Sequence, residues 1–374
     1  MTASATTQRR GRRLSWTLSG YIARQYLLWF MVFLLAISGI VLLAGTADRL
    51  DRLANRDGVT FGIVLSVALF RLPSLVQETM PFVVLGAAMF TFWRMTRTNE
   101  LVVTRAAGVS AWQFLLPAVA LSVLVGILTM TLLNPVGAAL LARADQIEEY
   151  YDPTPGPSLA LRGGGLWLRQ DQGADRLMLH ASRADEESMT LYDVIVFRYK
   201  EEQFFNRMDA TSATLEPGYW AIRDVWQSQA GTPTVFEQEV RIPTNLTSRK
   251  ILDSFAPAQT LSFWDLPEFI RLLQEAGFST QQHRLEFNKL LALPLLFTAM
   301  VVLAATFSLR PQRRGRVGLI ILAGVLSGFV LYFMSSLVFA LGISGKLPVA
   351  MAAWTPATIA LALSLPLLLH LEDG

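Results

Sequence analysis

RMTRTNELVVTRAAGVS, residues 94–110, stands between two long apolar runs and carries Arg94, Arg97 and Arg105. Thr98 suits the N-cap of a short helix, and Glu100 falls in its first turn, where the helix dipole favours an acid. Arg105 comes in the last turn, and Gly108 can close the helix in a left-handed conformation. Leu101, Val102, Val103, Ala106 and Ala107 give the stretch more apolar surface than a solvated loop needs. A helix of about nine residues is unstable alone, so its apolar side must dock. Two readings are open. One is a cytoplasmic loop whose arginines set the orientation of the flanking spans. The other is a coupling helix that inserts into a groove on a cytoplasmic partner.

The flanking runs set the class. Of 374 residues, 52% are hydrophobic and 16% charged. Several mostly apolar runs exceed about 18 residues, the length that reads as a transmembrane helix. The chain has no cysteine, which excludes disulfide and thiolate chemistry. His180, His283 and His370 lie far apart and suggest no metal site. The formal charge of +3 is carried by clustered positives, which belong to membrane topology rather than to nucleic-acid binding.

Towards the N-terminus, Gln25–Ala47 is uncharged and follows Arg9, Arg10, Arg12 and Arg13. It is longer than a signal-peptide core and is read as a retained first span. The loop DRLDRLANRDG, 48–58, follows. Val59–Trp93 is apolar but contains Arg71, Pro73, Gln77, Glu78 and Pro81. The second span is placed at Leu72–Trp93, entered through an interfacial helix from Val59. Arg71 either snorkels to the outer interface or serves function. After residue 110, the third span is placed at Ala111–Leu133, ending near Asn134 and Pro135.

From Arg143 to His283 the chain is polar, with short alternating runs such as GLWLRQ (165–170), RLMLHA (176–181) and TLYDVIVFRY (190–199). Period-2 alternation between turn residues predicts an all-β, jellyroll-like domain over 143–261. Leu168, Leu179 and Val196 fall on its apolar face. They either fill a closed core or line a groove for an acyl chain, because both demand the same alternation. Ser262–Gly277 has one apolar stripe and is expected to lie on the membrane surface. Leu290–Leu309, Val317–Ile343 and Leu347–Leu369 complete six spans, and Gly324 and Gly328 allow close helix approach. The organisation is 1–142 with three spans, 143–261 β, and 262–374 with three spans.

Short-loop basic residues orient the chain. The N-terminal tail, the 94–110 stretch and 310–316 together hold eleven, against four on the other side, Arg49, Arg52, Arg56 and Lys346. The first side is expected to be cytoplasmic, with both termini there and the β domain outside. No phosphate-binding loop occurs; Ser344-Gly345-Lys346 lacks the required upstream glycine. No zinc signature, flavin fingerprint or nucleophile elbow is present. A polytopic chain without catalytic motifs favours a permease, a receptor or a scaffold over an enzyme.

NELVVTRAAGVS (99–110), GGLWLR (164–169), PTNLT (243–247) and LSFWDLPEFIRLLQEAG (261–277) together resemble the LptF/LptG permeases of lipopolysaccharide export, in the same order from about Tyr21 to Leu369. RVGLIILAGVLSGFVLYF (316–333) and GISGKLPVAMAAWTP (342–356) resemble the LptG branch more than the LptF branch. The resemblance implies an inner-membrane subunit of an ATP-driven transporter in a Gram-negative bacterium, with no cofactor of its own. Its implied partners are a second permease of the family, a homodimeric cytoplasmic ABC ATPase and a single-pass partner with a periplasmic jellyroll. Lipopolysaccharide would enter laterally and rise towards the outer membrane. The resemblance favours the coupling reading, with Glu100 as the coupling acid beside Arg97, Leu101 and Arg105. Gly45 stands where family members carry a lysine, which leaves Arg49 or Arg52 to meet a lipid phosphate. Arg56 and Arg71 are expected at the same depth. Asp48, Asp51 and Asp57 offer a plainer role for the first three arginines, as local neutralisation. The rival functions are a permease for another lipid or lipoprotein, and a membrane receptor or scaffold with a β sensor domain.

Overall fold

Among the described residues, six helices are long and apolar enough to cross a membrane, at Trp16–Asp51, Phe61–Arg97, Trp112–Tyr151, Gln281–Ser308, Leu322–Ile343 and Val349–Leu368. The computed structural model describes residues 4–53, 58–151, 158–162, 165–172, 175–185, 188–200, 203–229, 231–244, 246–247, 251, 257–309 and 317–373. The polytopic class with an inserted β domain is as the sequence reads. The chain divides into a helical unit, residues 1–151, 262–264 and 285–374, and a β unit, 152–261 and 265–284.

In the helical unit, α1 (Ser4–Leu53) is one unbroken helix. The second span is also one helix, α2 (Phe61–Arg97), rather than an interfacial helix followed by a span. Pro73 and Pro81 lie inside it; prolines persist in membrane helices where neighbouring groups satisfy the freed carbonyls. α2 sits at the centre of the unit, with Val83, Val84, Ala87, Ala88 and Phe92 buried. Gly86 makes room for α1: a Cβ there would lie 2.7 Å from the Phe33 ring. Trp29 of α1 meets Phe90 of α2 with centroids 4.1 Å apart.

The short α3 (Glu100–Ala106) leads to α4 (Ala111–Leu128). The third span does not end at Asn134 and Pro135. It passes through a π-helical turn, Thr129–Leu133, into α5 (Asn134–Tyr151). Pro135 lacks an N–H and would break a regular helix, but a π turn relocates the carbonyls and absorbs the loss. The turn is also used for docking. Asn134 Oδ1 accepts from the buried Phe263 N–H at 2.7 Å, and the Trp264 indole N–H donates to the Thr131 carbonyl at 3.3 Å.

The last three spans are here α7 (Gln281–Ser308), α8 (Val317–Ile343) and α9 (Val349–Asp373). α7 crosses α4 closely, since a Cβ on Gly126 would sit 2.6 Å from the Pro294 Cα. The paired glycines of α8 act as the sequence suggests. Cβ atoms on Gly324 and Gly328 would meet Met89 at 2.3 Å and Leu85 at 2.5 Å. Large faces of α1 and α8 stay uncovered within the chain, including Leu35, Leu43, Phe329 and Phe333.

The β unit holds β1 (Ser158–Arg162), β2 (Gly165–Gln172), β3 (Asp175–Asp185), β4 (Thr190–Lys200), β5 (Gln203–Glu216), β6 (Tyr219–Ser228) and β7 (Val235–Pro243). They form one antiparallel sheet in sequential order. The all-β expectation holds, but among the described strands the topology is a meander without jellyroll crossovers. Short reversals such as Glu216–Tyr219 leave no chain to cross over, and Gly218 at φ +90 completes that one. One row of the inner face runs Leu168, Leu179, Val196 and Met208 across four paired strands. With Trp220, Ile222 and Val225 these residues make the core.

The amphipathic segment, α6 (Leu266–Glu275), does not present its stripe to a membrane surface. Leu273, Ala276 and Phe278 join the sheet core, with Phe269 packed beside them. The Ala184 N–H donates to the Ala276 carbonyl at 2.9 Å. A helical stripe specifies that an apolar partner exists, not which one.

Candidate functional site

Two places in the helical unit and one in the β unit carry the residues singled out by sequence. The first is the link between α2 and α4. Thr98 ends α2 rather than capping α3, and Asn99 turns the chain with a left-handed φ of 58°. Asparagine tolerates that conformation better than most residues. The new direction brings Glu100 to Thr98 and Tyr21, whose hydroxyls donate to Glu100 Oε1 at 2.8 and 3.3 Å. Gly108 closes α3 at φ +80, as expected. Ser110 then caps α4 by accepting from the Gln113 N–H.

Leu101 is buried and anchors α3 to the chain itself. The outward apolar pair is Val102 and Val103, 63% and 67% exposed. Arg105 is exposed, and Arg97 lies over the Trp93 ring, 5.4 Å from its centroid. The surface thus combines two branched apolar side chains with a part-exposed carboxylate and flanking cations. A seven-residue helix showing β-branched apolar residues to solvent gains nothing from doing so. Val102 and Val103 are left uncovered by the described residues.

The second place joins α1, α2 and α5. Arg49 donates through Nε to Glu148 Oε1 at 3.0 Å and through Nη1 to the Gly45 carbonyl at 2.9 Å. Arg71 donates through Nη2 to Glu148 Oε2 at 2.6 Å and to Asp145 Oδ1. One carboxylate of Glu148 therefore bridges two guanidiniums from different helices. Arg71 Nε is buried and meets no acceptor among the described residues. Arg49 and Arg71 thus converge on Glu148. Arg52 lies in α1, with its side chain outside the described residues, and Arg56 is outside them altogether.

The third place is the apolar face of the sheet. Leu168, Leu179 and Val196 are fully buried there. The cavity lined by Leu166, Leu168, Leu191, Trp220 and Phe278 has a volume of about 10 Å³, the room of a single water molecule. In this conformation the face is a packed core.

The family model for the lipopolysaccharide export system permease LptF/LptG matches residues 20–370. The chain belongs to the LptF/LptG family. It is 23% identical, over 91% of its length and 95% of theirs, to the lipopolysaccharide export system permease proteins LptG of Escherichia coli K12 and of the E. coli O6:H1 strain CFT073. An LptF/LptG permease is a polytopic membrane protein, as the six apolar helices require.

Three features of this chain are not legible in its sequence as read above. The alternating pattern places Asp145 and Glu148, the partners of the arginines, in the β domain, whereas they lie in α5. ARADQIEEYY, 142–151, contains no glycine or proline and spaces the two acids i and i+3, which was the available helical signal. Tyr21 as a partner of Glu100 left no sequence trace, being 79 residues away. Asn134, read as a helix end, is a docking residue.

Proposed function

We propose that this LptF/LptG chain is the LptG-type permease subunit of an ATP-driven transporter that takes lipopolysaccharide out of the inner membrane. The observation that carries the reading is the exposed Val102–Val103 face beside Glu100, on a helix too short to stand alone, in a chain of this family. That face docks on a cytoplasmic ABC-type ATPase dimer, and Glu100 meets a basic residue of it. The chain performs no covalent chemistry; hydrolysis belongs to the ATPase. The termini and α3 lie in the cytoplasm, and the β unit lies in the periplasm. The uncovered faces of α1 and α8 pack on a second permease of the family or face the lipid.

Arg49 and Arg71, with Arg52 and Arg56 nearby in sequence, meet headgroup phosphates, for which a guanidinium offers two parallel hydrogen bonds. Among the described strands, the end strands β1 and β7 each pair with one neighbour. Such edges take further strands through backbone hydrogen bonds, and a single-pass partner with its own β domain supplies them. An acyl path along Leu168, Leu179 and Val196 requires the sheet to part from α6, because the core is closed as it stands. Affinity purification from detergent tests the whole reading. A small ABC-type ATPase and a second permease of the same architecture should co-purify in stoichiometric amounts. Recovery of the chain without any ATPase would reject it and favour a receptor or scaffold.

A further inference from the structure

The pairing of Arg49 and Arg71 is satisfied in an unusual way. Two carboxylates, Asp145 and Glu148, crowd one nitrogen of Arg71, while its Nε, buried, meets no acceptor among the described residues. An arginine binds a planar or tetrahedral anion best through both prongs of its fork. Here one prong is over-used and the other empty. Glu148 meanwhile sends one oxygen to each arginine, so it spans the two guanidiniums as two oxygens of a phosphate would.

The exposures differ in a way that matters. Arg49 and Arg71 side chains are 12% and 24% exposed, whereas Glu148 and Asp145 are 29% and 41% exposed. Asp145 is the most exposed of the four and Arg49 the least, with Glu148 slightly more exposed than Arg71, so the acids have the shorter way to water. All four side chains sit on one end of the helical unit, at the C-terminal end of α1, the N-terminal part of α2 and the C-terminal part of α5.

We propose that Asp145 and Glu148 act as an internal stand-in for a lipid-borne phosphate, holding Arg49 and Arg71 in the empty protein and competing with the headgroup for them. The proposal rests on the reading of these arginines as phosphate contacts and adds the regulation of that site. Entry of a phosphate moves it onto Arg71 Nε and Nη2 and onto Arg49, while both carboxylates swing to solvent. Return of the carboxylates displaces the phosphate and lets the lipid leave. No bond is made or broken; ions exchange partners. The acids thereby keep the site from binding its cargo too tightly to release.

The test compares the full-length wild type, Arg71→Gln, and the isosteric pair Asp145→Asn with Glu148→Gln, all in detergent. The probes are bis-phosphorylated lipid A, dephosphorylated lipid A and phosphatidylglycerol, with affinity and thermal unfolding both read. The double acid variant should bind the phosphorylated probe at least about tenfold more tightly, the effect of one strong charge-assisted contact. Without lipid it should unfold at lower temperature, because its arginines are unpaired, and added probe should raise that temperature more than in wild type. A purely structural role for the acids predicts loss of affinity, not gain. The probe that shows the gain, lipid A or phosphatidylglycerol, identifies the source of the phosphate. Equal or weaker binding of both probes by the double variant, with Arg71→Gln still impaired, overturns the stand-in and leaves the arginine reading in place. Binding insensitive to Arg71→Gln and to dephosphorylation removes the arginine reading itself. A single cysteine-attached spin label at Gln146, possible because the chain has no cysteine, provides a second readout without removing charge. Lipid A should mobilise it, and an unchanged spectrum with bound lipid counts against the exchange.

Discussion

Gly277→Ala tests the finding that α6 closes the sheet rather than lying on a membrane. Gly277 has φ +82, and a Cβ there would come 1.9 Å from the Ala184 carbonyl oxygen and 3.1 Å from its carbon. The left-handed conformation costs a non-glycine residue about 1 kcal/mol. The clash is with backbone, so relief requires β3 and the 276–278 segment to separate. That breaks the 2.9 Å bond from the Ala184 N–H to the Ala276 carbonyl, worth about 1 kcal/mol net. It also begins to expose Phe278 and Leu273, both in the core, at about 1 kcal/mol or more for even partial exposure. The total is about 3 kcal/mol, which corresponds to about a 100-fold rise in opening. Hydrogen exchange of the full chain in detergent reads this at the Ala184 amide and along β3, with α7–α9 as internal reference. Gly231→Ala is the control: Gly231 has φ +81 but nothing within 4 Å of a Cβ, so only the conformational term of about 1 kcal/mol applies. Equal exchange in the two variants would refute the packing of α6 on β3.

Glu100→Lys should insert normally but lose ATPase assembly and transport, and Val102→Asp with Val103→Asp should do the same; pull-down from detergent reads both. Asn134→Ala removes the acceptor of the buried Phe263 N–H and should destabilise the helical unit by about 1–3 kcal/mol, lowering its thermal transition, with Asn134→Asp closer to wild type. Reporter fusions after Gly58, Asp185 and Gly345 should report the periplasm, and those after Thr98 and Gln312 the cytoplasm; an inside signal at Asp185 would overturn the topology. Photocrosslinkers at Leu168, Leu179 and Val196 should capture lipopolysaccharide only during ATP turnover if the sheet opens, and none at all if it stays a closed core.

The spans and the β insert were legible because each rests on local signals, uncharged length for one and period-2 alternation for the other. Boundaries failed where a local stop signal was satisfied by structure. Pro135 did not end the third span, because the π turn at Thr129–Leu133 accommodates it. Arg71 and Pro73 did not divide the second span, because Asp145 and Glu148 reach Arg71 from α5. At the candidate sites, Glu100 was legible as an acid in a helix's first turn, and Arg49 and Arg71 as charges set beside apolar runs. Their partners were not, because a pairing across 77 or 99 residues leaves no periodicity. Leu101 illustrates a different limit: in a seven-residue helix, composition shows that apolar residues exist but not that Leu101 turns inward while Val102 and Val103 turn out.

On the proposed function, this chain passes lipopolysaccharide out of a membrane under the power of a partner ATPase. The direct measurement is reconstitution of the chain with its co-purified partners in lipopolysaccharide-loaded vesicles, followed by transfer to a soluble periplasmic acceptor. ATP should drive release of lipopolysaccharide from the wild-type assembly, and Glu100→Lys should abolish it while leaving vesicle insertion intact. Release that is independent of ATP, or ATP-driven release of phospholipid or lipoprotein with lipopolysaccharide left behind, would contradict the account.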